Sequence, residues 1–137
     1  MLQSEPAMKS FLITGGAGFI GSHLVDRLLA TNAEHITVVD DFNDFYNPAI
    51  KRNNIRQHLN DSRYRLAEVD IRDRAALDQA LANNKFDCIV HLAARAGVRP
   101  SLDQPELYNE TNVTGTLNLL EFVRQHHIRQ FVFASSS

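Results

Sequence analysis

Gly15, Gly18 and Gly21 recur at a spacing of three within Phe11-Leu12-Ile13-Thr14-Gly15-Gly16-Ala17-Gly18-Phe19-Ile20-Gly21. A short apolar run stops at the first glycine and resumes with helical spacing at Ile20, Leu24 and Leu28, so the stretch reads as strand, loop, helix. The chemistry open to it is anion binding. Unpaired amides at the start of the helix and the helix dipole both favour a phosphate, Gly15 allows a sharp turn, Gly18 leaves room for a pyrophosphate, and Gly21 lets the helix pack on the sheet. Glycine triplets are common turns that bind nothing, and what gives this one chemical meaning is Asp40, nineteen residues past Gly21 at the end of the next apolar run. A carboxylate there accepts hydrogen bonds from both hydroxyls of an adenosine ribose, whereas a lone Asp would be a cap or turn residue.

The elements that must hold these groups follow from periodicity. A helix over residues 19–31 leads to a continuous, β-branched strand over residues 35–39, as buried parallel strands require. The turn-rich segment after Asp40 holds Phe42, Phe45 and Tyr46, rings that call for cover, and Asn47-Pro48 reads as cap and first residue of a helix to about Leu59. Lys51, Arg52 and Arg56 read as its solvated face. A third, more polar strand over residues 64–69 belongs near a sheet edge and ends at Asp70-Ile71, and Asp73 caps a helix carrying Leu77 and Leu81. Residues 86–91 form a fourth strand, after which the small residues of Leu92-Ala93-Ala94 let backbone lie close to a flat ligand. His91 reads as a satisfied core histidine. A long helix runs from Pro105 to about Arg124 with a main apolar arc of Val113, Leu117, Leu119, Leu120 and Val123. A second line, Leu107, Thr111, Gly115, Asn118 and Phe122, lies on its other side. Residues 130–134 form a fifth strand, and Ser135, Ser136 and Ser137 follow.

Five strands alternating with helices predict an α/β fold, a doubly wound Rossmann-type parallel sheet, and right-handed crossovers predict the order 3-2-1-4-5. At 137 residues, 44% hydrophobic, with net charge −2, the chain suits one domain over residues 9–137 behind a short leader of residues 1–8. The charge balance offers no basic field to nucleic acid or membrane. The one cysteine, Cys88, sits in an apolar run and excludes an internal disulfide framework. The leader lacks the apolar core of a signal peptide and no run reaches spanning length, so the expected location is cytoplasmic; no metal-ligand spacing is present.

Thr14 to Gly21, Asp40, Asp70-Ile71, His91-Leu-Ala-Ala94, Asn112 with Gly115-Thr116, and Phe131-Val-Phe-Ala-Ser-Ser136 together resemble the extended short-chain dehydrogenase/reductase family, the nucleotide-sugar epimerases and dehydratases. Asp44-Phe-Tyr-Asn-Pro48 with Lys51-Arg52, and residues 91–101, are most similar to the UDP-glucuronate 4-epimerases, with UDP-glucose 4-epimerases and dehydratases as near alternatives.

The resemblance implies NAD as a held hydride shuttle that oxidises the sugar at C4, lets a 4-keto intermediate turn over, and reduces it from the other face. It places the cofactor against Gly15, Gly18, Phe19, Ile20, Gly21, Asp40, Asp41, Asn43, Asp70, Ile71, Leu92, Ala93, Ala94, Asn112 and Ser135. The catalytic hydroxyl falls on Ser136, the UDP-sugar faces Ser137, and Arg99 is the candidate for the sugar carboxylate. Three serines at a chain end otherwise read as a polar tail, and Arg99 as a surface residue. The family's Tyr-x-x-x-Lys pair is missing from these residues, since Tyr46, Tyr64 and Tyr108 are not followed by Lys four positions on. The chain is therefore expected to be the NAD-binding portion of an epimerase, inactive alone and homodimeric in its parent through the Leu107–Phe122 line. A non-catalytic NAD-binding sensor is the alternative from another class.

Overall fold

The computed structural model describes residues 7–135, so residues 1–6, Ser136 and Ser137 lie outside the described residues. Strands β1 (Ser10–Thr14), β2 (His35–Asp40), β3 (Tyr64–Glu68), β4 (Cys88–His91) and β5 (Gln130–Phe133) form one parallel sheet in the order β3-β2-β1-β4-β5. The order reverses at β1, which pairs with β2 on one side (Phe11 with Ile36) and with β4 on the other (Phe11 with Cys88). This reversal opens a crevice beyond the carboxyl ends of β1 and β4.

Successive residues of a strand face opposite sides, and β1 shows both cores at once. Phe11 and Ile13 join Ile36, Val38, Tyr64 and Cys88 under helices α1 (Phe19–Thr31) and α2 (Pro48–Ile55), together with Val25, Leu29 and Ile55. Leu12 joins Val39, Ala67 and Ile89 on the other face, under Leu77 and Leu81 of α3 (Arg74–Leu81) and Leu119 and Phe122 of a C-terminal helix. Each fully buried side chain of this kind contributes about 1.5–3 kcal/mol. Asn47 caps α2 by accepting from the Ala49 amide at 3.0 Å, and Asp73 caps α3 by accepting from the Ala76 amide at 3.0 Å. A 3₁₀ turn over Arg56–His58 extends α2, and β3 lies at the sheet edge.

The C-terminal helical region departs from expectation twice. It is divided into α4 (Val98–Asp103), α5 (Pro105–Asn109), a π turn over Glu110–Thr114, and α6 (Gly115–His126). Its buried side is also rotated from the expected one. Leu119 and Val123 of the expected core arc do pack in the core, but Val113, Leu117 and Leu120 are exposed, whereas Gly115 and Phe122 of the second line are buried and Asn118 donates to the carbonyls of Ile71 and Arg72 at 2.9 and 3.1 Å. The line expected to carry a dimer contact therefore packs on the sheet from Gly115 onward. All of these positions but Val113 lie within α6 itself, so the side that packs is decided by what it meets: Gly115 lets Ile71 approach and the Asn118 amide reaches two free carbonyls.

Candidate functional site

β1 turns out of the sheet at Gly15, whose φ of 70° is left-handed. An added Cβ there would stand 2.9 Å from the Ala93 amide nitrogen, so only glycine lets the loop lie against the backbone after β4. At Gly21 a Cβ would stand 2.3 Å from the Gly15 carbonyl oxygen, so this glycine packs α1 on the loop itself rather than on the sheet. Gly18 is the N-cap of α1; no side chain caps the helix and its first turn holds no acid. The free first-turn amides suit an anion. Phe19 and Ile20 project into solvent and bring only their backbone to this loop.

Asp40, at the carboxyl end of β2, is 4% exposed and accepts three hydrogen bonds within the chain. Its Oδ2 accepts from the Ala17 amide at 3.2 Å, and its Oδ1 accepts from the Phe42 amide at 3.0 Å and from Lys51 Nζ at 2.9 Å. The carboxylate thus ties the glycine loop to α2. Lys51 is buried and its Nζ lies 5.5 Å from the centre of the Tyr46 ring, which corrects the reading of this face as solvated. Arg56 keeps to that reading, and so does Arg52, whose side chain stays exposed. Its guanidinium forks onto Glu68 at 2.5 and 2.7 Å and lies 3.6 Å over the ring of Phe42, a buried aromatic held at a φ of 49°. Phe42 is covered as its composition demanded, while Phe45 and Tyr46 stay partly open. Asp41 accepts from the amide and side chain of Asn43 at 3.1 and 2.7 Å, which sets the turn.

These loops enclose a crevice lined by Gly15, Gly18, Asp40, Asp41, Asn43, Asp70, Ile71, Leu92, Ala93 and Ala94, all expected at a cofactor. Val39, Tyr46, Lys51, Val69 and Thr111 also line it and were not anticipated. Burial works to raise the Asp70 carboxyl, but hydrogen bonds from Arg72, at 2.6 Å for Nη2, and the charges of Arg72 and Arg95 hold it below the usual carboxylate range.

A second, adjoining crevice is lined by His91, Arg95, Tyr108, Asn112, Thr116 and Ser135, with Leu92 to Ala94 shared between the two. His91 anchors its floor. Thr14 Oγ1 accepts from the Leu92 and Ala93 amides, both at 3.2 Å, so its own proton goes to His91 Nδ1 at 2.6 Å. Nε2 then carries the imidazole proton and donates to Thr116 Oγ1 at 2.8 Å, and Thr116 donates to the Asn112 carbonyl at 2.7 Å. Hydrogen-bond accounting thus assigns one tautomer and one direction to the chain. Burial pushes the His91 pKa down to about 4, in keeping with its reading as a core residue.

Asn112 lines the second crevice and also holds the backbone beside it. Its Oδ1 accepts from the Arg95 amide at 2.7 Å and its Nδ2 donates to the Arg95 carbonyl at 3.0 Å, clamping the loop after β4. Tyr108 adds a bond from its hydroxyl to the Ala96 carbonyl at 2.6 Å. Arg99 is exposed on α4 and lines neither crevice. Ser135 lines the second one, while Ser136 and Ser137 lie outside the described residues. Nothing in the spacing of the sequence could have paired Asn112 with Arg95 or Lys51 with Asp40. The one available signal for the second pair was a cation one helix downstream of the strand-end acid.

A 3-2-1-4-5 parallel sheet with an uncapped glycine-rich helix start and a strand-end acid at its reversal point defines a Rossmann-type nucleotide-binding domain. Residues 12–137 match the family described as GDP-mannose 4,6 dehydratase, and the chain belongs to that family of extended short-chain dehydrogenase/reductase epimerases and dehydratases. The chain is 39% identical over 132 residues to UDP-glucose 4-epimerase 2 of Oryza sativa subsp. japonica, covering 95% of this chain and 32% of that protein. It is 36% identical over 130 residues to UDP-glucuronate 4-epimerase of Thermodesulfobacterium geofontis, covering 95% and 40%. The NAD complex of the Thermus thermophilus UDP-glucose 4-epimerase superposes with a TM-score of 0.79 at 37% identity, covering 93% of this chain and 37% of that one. The chain thus spans about two fifths or less of the length of these relatives. Among the described residues no helix is long and apolar enough to cross a membrane.

Proposed function

We propose that this chain is the NAD-binding portion of a nucleotide-sugar 4-epimerase that interconverts UDP-glucuronate and UDP-galacturonate. The observation that carries the reading is the cradle around Gly15. Backbone from the β1 and β4 loops meets there too closely for a Cβ, beside free helix amides and the carboxylate of Asp40. These groups fit a dinucleotide: the α1 amides take the pyrophosphate, Asp40 and Lys51 meet the adenosine ribose, and Asp70 and Ile71 border the adenine. NAD, when bound, supplies reversible hydride transfer at the sugar C4. The chain's own residues bind and orient it, and the family resemblance assigns the catalytic hydroxyl to Ser136 and a substrate contact to Ser137, both outside the described residues. No Tyr-x-x-x-Lys pair stands in these 137 residues, so the general base of the reaction is not among them and this chain alone is inactive. UDP-glucose is the second reading, favoured by relatives of that activity at similar identity. A homodimer of the parent would have to use the exposed side of the C-terminal helical region, where Val113 of the π turn and Leu117 and Leu120 of α6 stand. Cytoplasmic location completes the proposal.

The test is calorimetric titration of this chain with NAD, followed by incubation of the full-length protein with NAD and either UDP-glucuronate or UDP-glucose. Saturable NAD binding and formation of UDP-galacturonate support the proposal. Turnover of UDP-glucose alone would move it to the second reading, and failure to bind NAD would remove it.

A further inference from the structure

The second crevice has an unbalanced lining. Among the described residues it holds one guanidinium, that of Arg95, and no carboxylate. Arg52, Arg63, Arg72, Arg74 and Arg124 are paired with acids, whereas the Arg95 side chain, like those of Arg27, Arg56, Arg65, Arg99 and Arg129, makes no ion pair or hydrogen bond with any described residue, and of these six Arg95 is the one that lines this crevice. Its main chain, by contrast, is fixed at both its amide and its carbonyl by Asn112, which the π turn carries to that position. Asp70, the acid whose carboxyl Arg95 helps to hold down, is already committed to Arg72. A cation with a fixed backbone and a free head, on the wall of a crevice without acids, is built to meet an anion that arrives with a ligand.

We propose that Arg95, and not Arg99, is the residue that selects a nucleotide sugar bearing a carboxylate on its sugar ring. The inference rests on the epimerase reading above and deepens it by deciding between uronate and neutral sugars. Arg95 reaches the crevice from the loop that follows β4, beside the small residues Ala93 and Ala94, while Arg99 stands on α4 outside its lining. A guanidinium binds a carboxylate through two parallel hydrogen bonds and gains nothing comparable from a hydroxymethyl group, so its effect appears as discrimination between the two sugars.

The test uses the full-length protein and the variants Arg95→Met, Arg95→Lys and Arg99→Met. Affinity for UDP-glucuronate and UDP-glucose is measured by calorimetry and turnover by kinetics, with NAD affinity and thermal midpoint recorded for each. Arg95→Met should lower the preference for UDP-glucuronate over UDP-glucose by about 10- to 100-fold, mainly through KM, and Arg95→Lys should restore part of it. Arg99→Met should leave that ratio within about twofold. NAD affinity and midpoint should hold in all three, because the Asn112 clamp engages only the main chain of residue 95. An unchanged ratio in Arg95→Met overturns the proposal. So does an equal loss for both sugars together with weakened NAD, which would assign Arg95 to the cofactor pyrophosphate. A full-length protein that epimerises UDP-glucose and does not bind UDP-glucuronate sinks this inference while leaving the epimerase reading in place. One that binds neither sugar sinks both.

Discussion

Acidification should unlock the domain at His91. In the folded chain the imidazole is 2% exposed, stacked on Phe133 at 5.6 Å, and takes a proton only near pH 4, against an ordinary value of 6.5. Between these values the unfolded chain binds a proton that the folded chain refuses, so stability falls as the pH falls. The contribution is fully present above about pH 6.5 and is lost progressively toward pH 4. A shift of this size is worth about 3 kcal/mol, a sizeable part of the roughly 5–15 kcal/mol that holds a domain of this length. The geometry adds a reason beyond burial. A second ring proton would have to point at Thr14 Oγ1, whose lone pairs already receive the Leu92 and Ala93 amides. Urea unfolding at intervals from pH 7.5 to 4 should therefore show a steeper loss in the wild-type chain than in His91→Gln, which carries no titrating group there. The variant starts less stable by about 1–3 kcal/mol, from the broken Thr14–His91–Thr116 chain. Parallel pH curves for the two proteins would refute the reasoning, because the acids shared by both cannot account for a difference in slope.

Further outcomes follow from the same structure. Lys51→Met strands the buried Asp40 carboxylate and should cost about 3–5 kcal/mol in denaturant unfolding, with Asp40→Asn/Lys51→Met recovering part of it; equal losses would show that the two groups are not coupled. Gly21→Ala should cost about 1–3 kcal/mol or displace the glycine loop, read as a lower thermal midpoint together with lost NAD binding, since its Cβ meets the Gly15 carbonyl. Phe122→Asp should unfold the chain by circular dichroism, while Leu117→Asp should change its stability by no more than about 0.5 kcal/mol, and the reverse order would restore the sequence-based assignment of the α6 faces.

The parts of the fold that were legible depend on neighbours in sequence. The α1 boundary at Thr31, the Asn47 and Asp73 caps and the edge position of β3 follow from local chemistry, and strand order follows from the handedness of crossovers. The two sides of α6 were not legible, because apolar residues occur on both with the same period. What decides between them is tertiary: Gly115 lets Ile71 approach, and the Asn118 amide finds the free carbonyls of Ile71 and Arg72. The glycine loop, Asp40 and the small residues after β4 were readable because their roles need only backbone shape and one charge. Lys51 was not. Its value as a buried partner exists only once α2 folds back over the end of β2, and until then it is one of three basic residues on a helix.

The bond between Thr14 and His91 joins residues 77 positions apart, and the close approach of Gly15 to Ala93 spans nearly the same interval. Because β1 is central, its second neighbour in the sheet is made only after β2, β3 and three helices have been laid down. Closing that long loop is the slow, entropically costly step of such a topology, and it is the step that completes the crevice. During synthesis, a chain that has produced β1 to β3 already holds the glycine loop, Asp40 and Lys51, yet only one wall of the binding crevice. Nucleotide recognition is therefore delayed until β4 and its loop arrive. From then on any dinucleotide that enters clasps the two distant parts of the chain together, adding RT ln(1 + [L]/Kd), about 2.7 kcal/mol at a hundredfold excess over Kd, to the stability of the whole sheet.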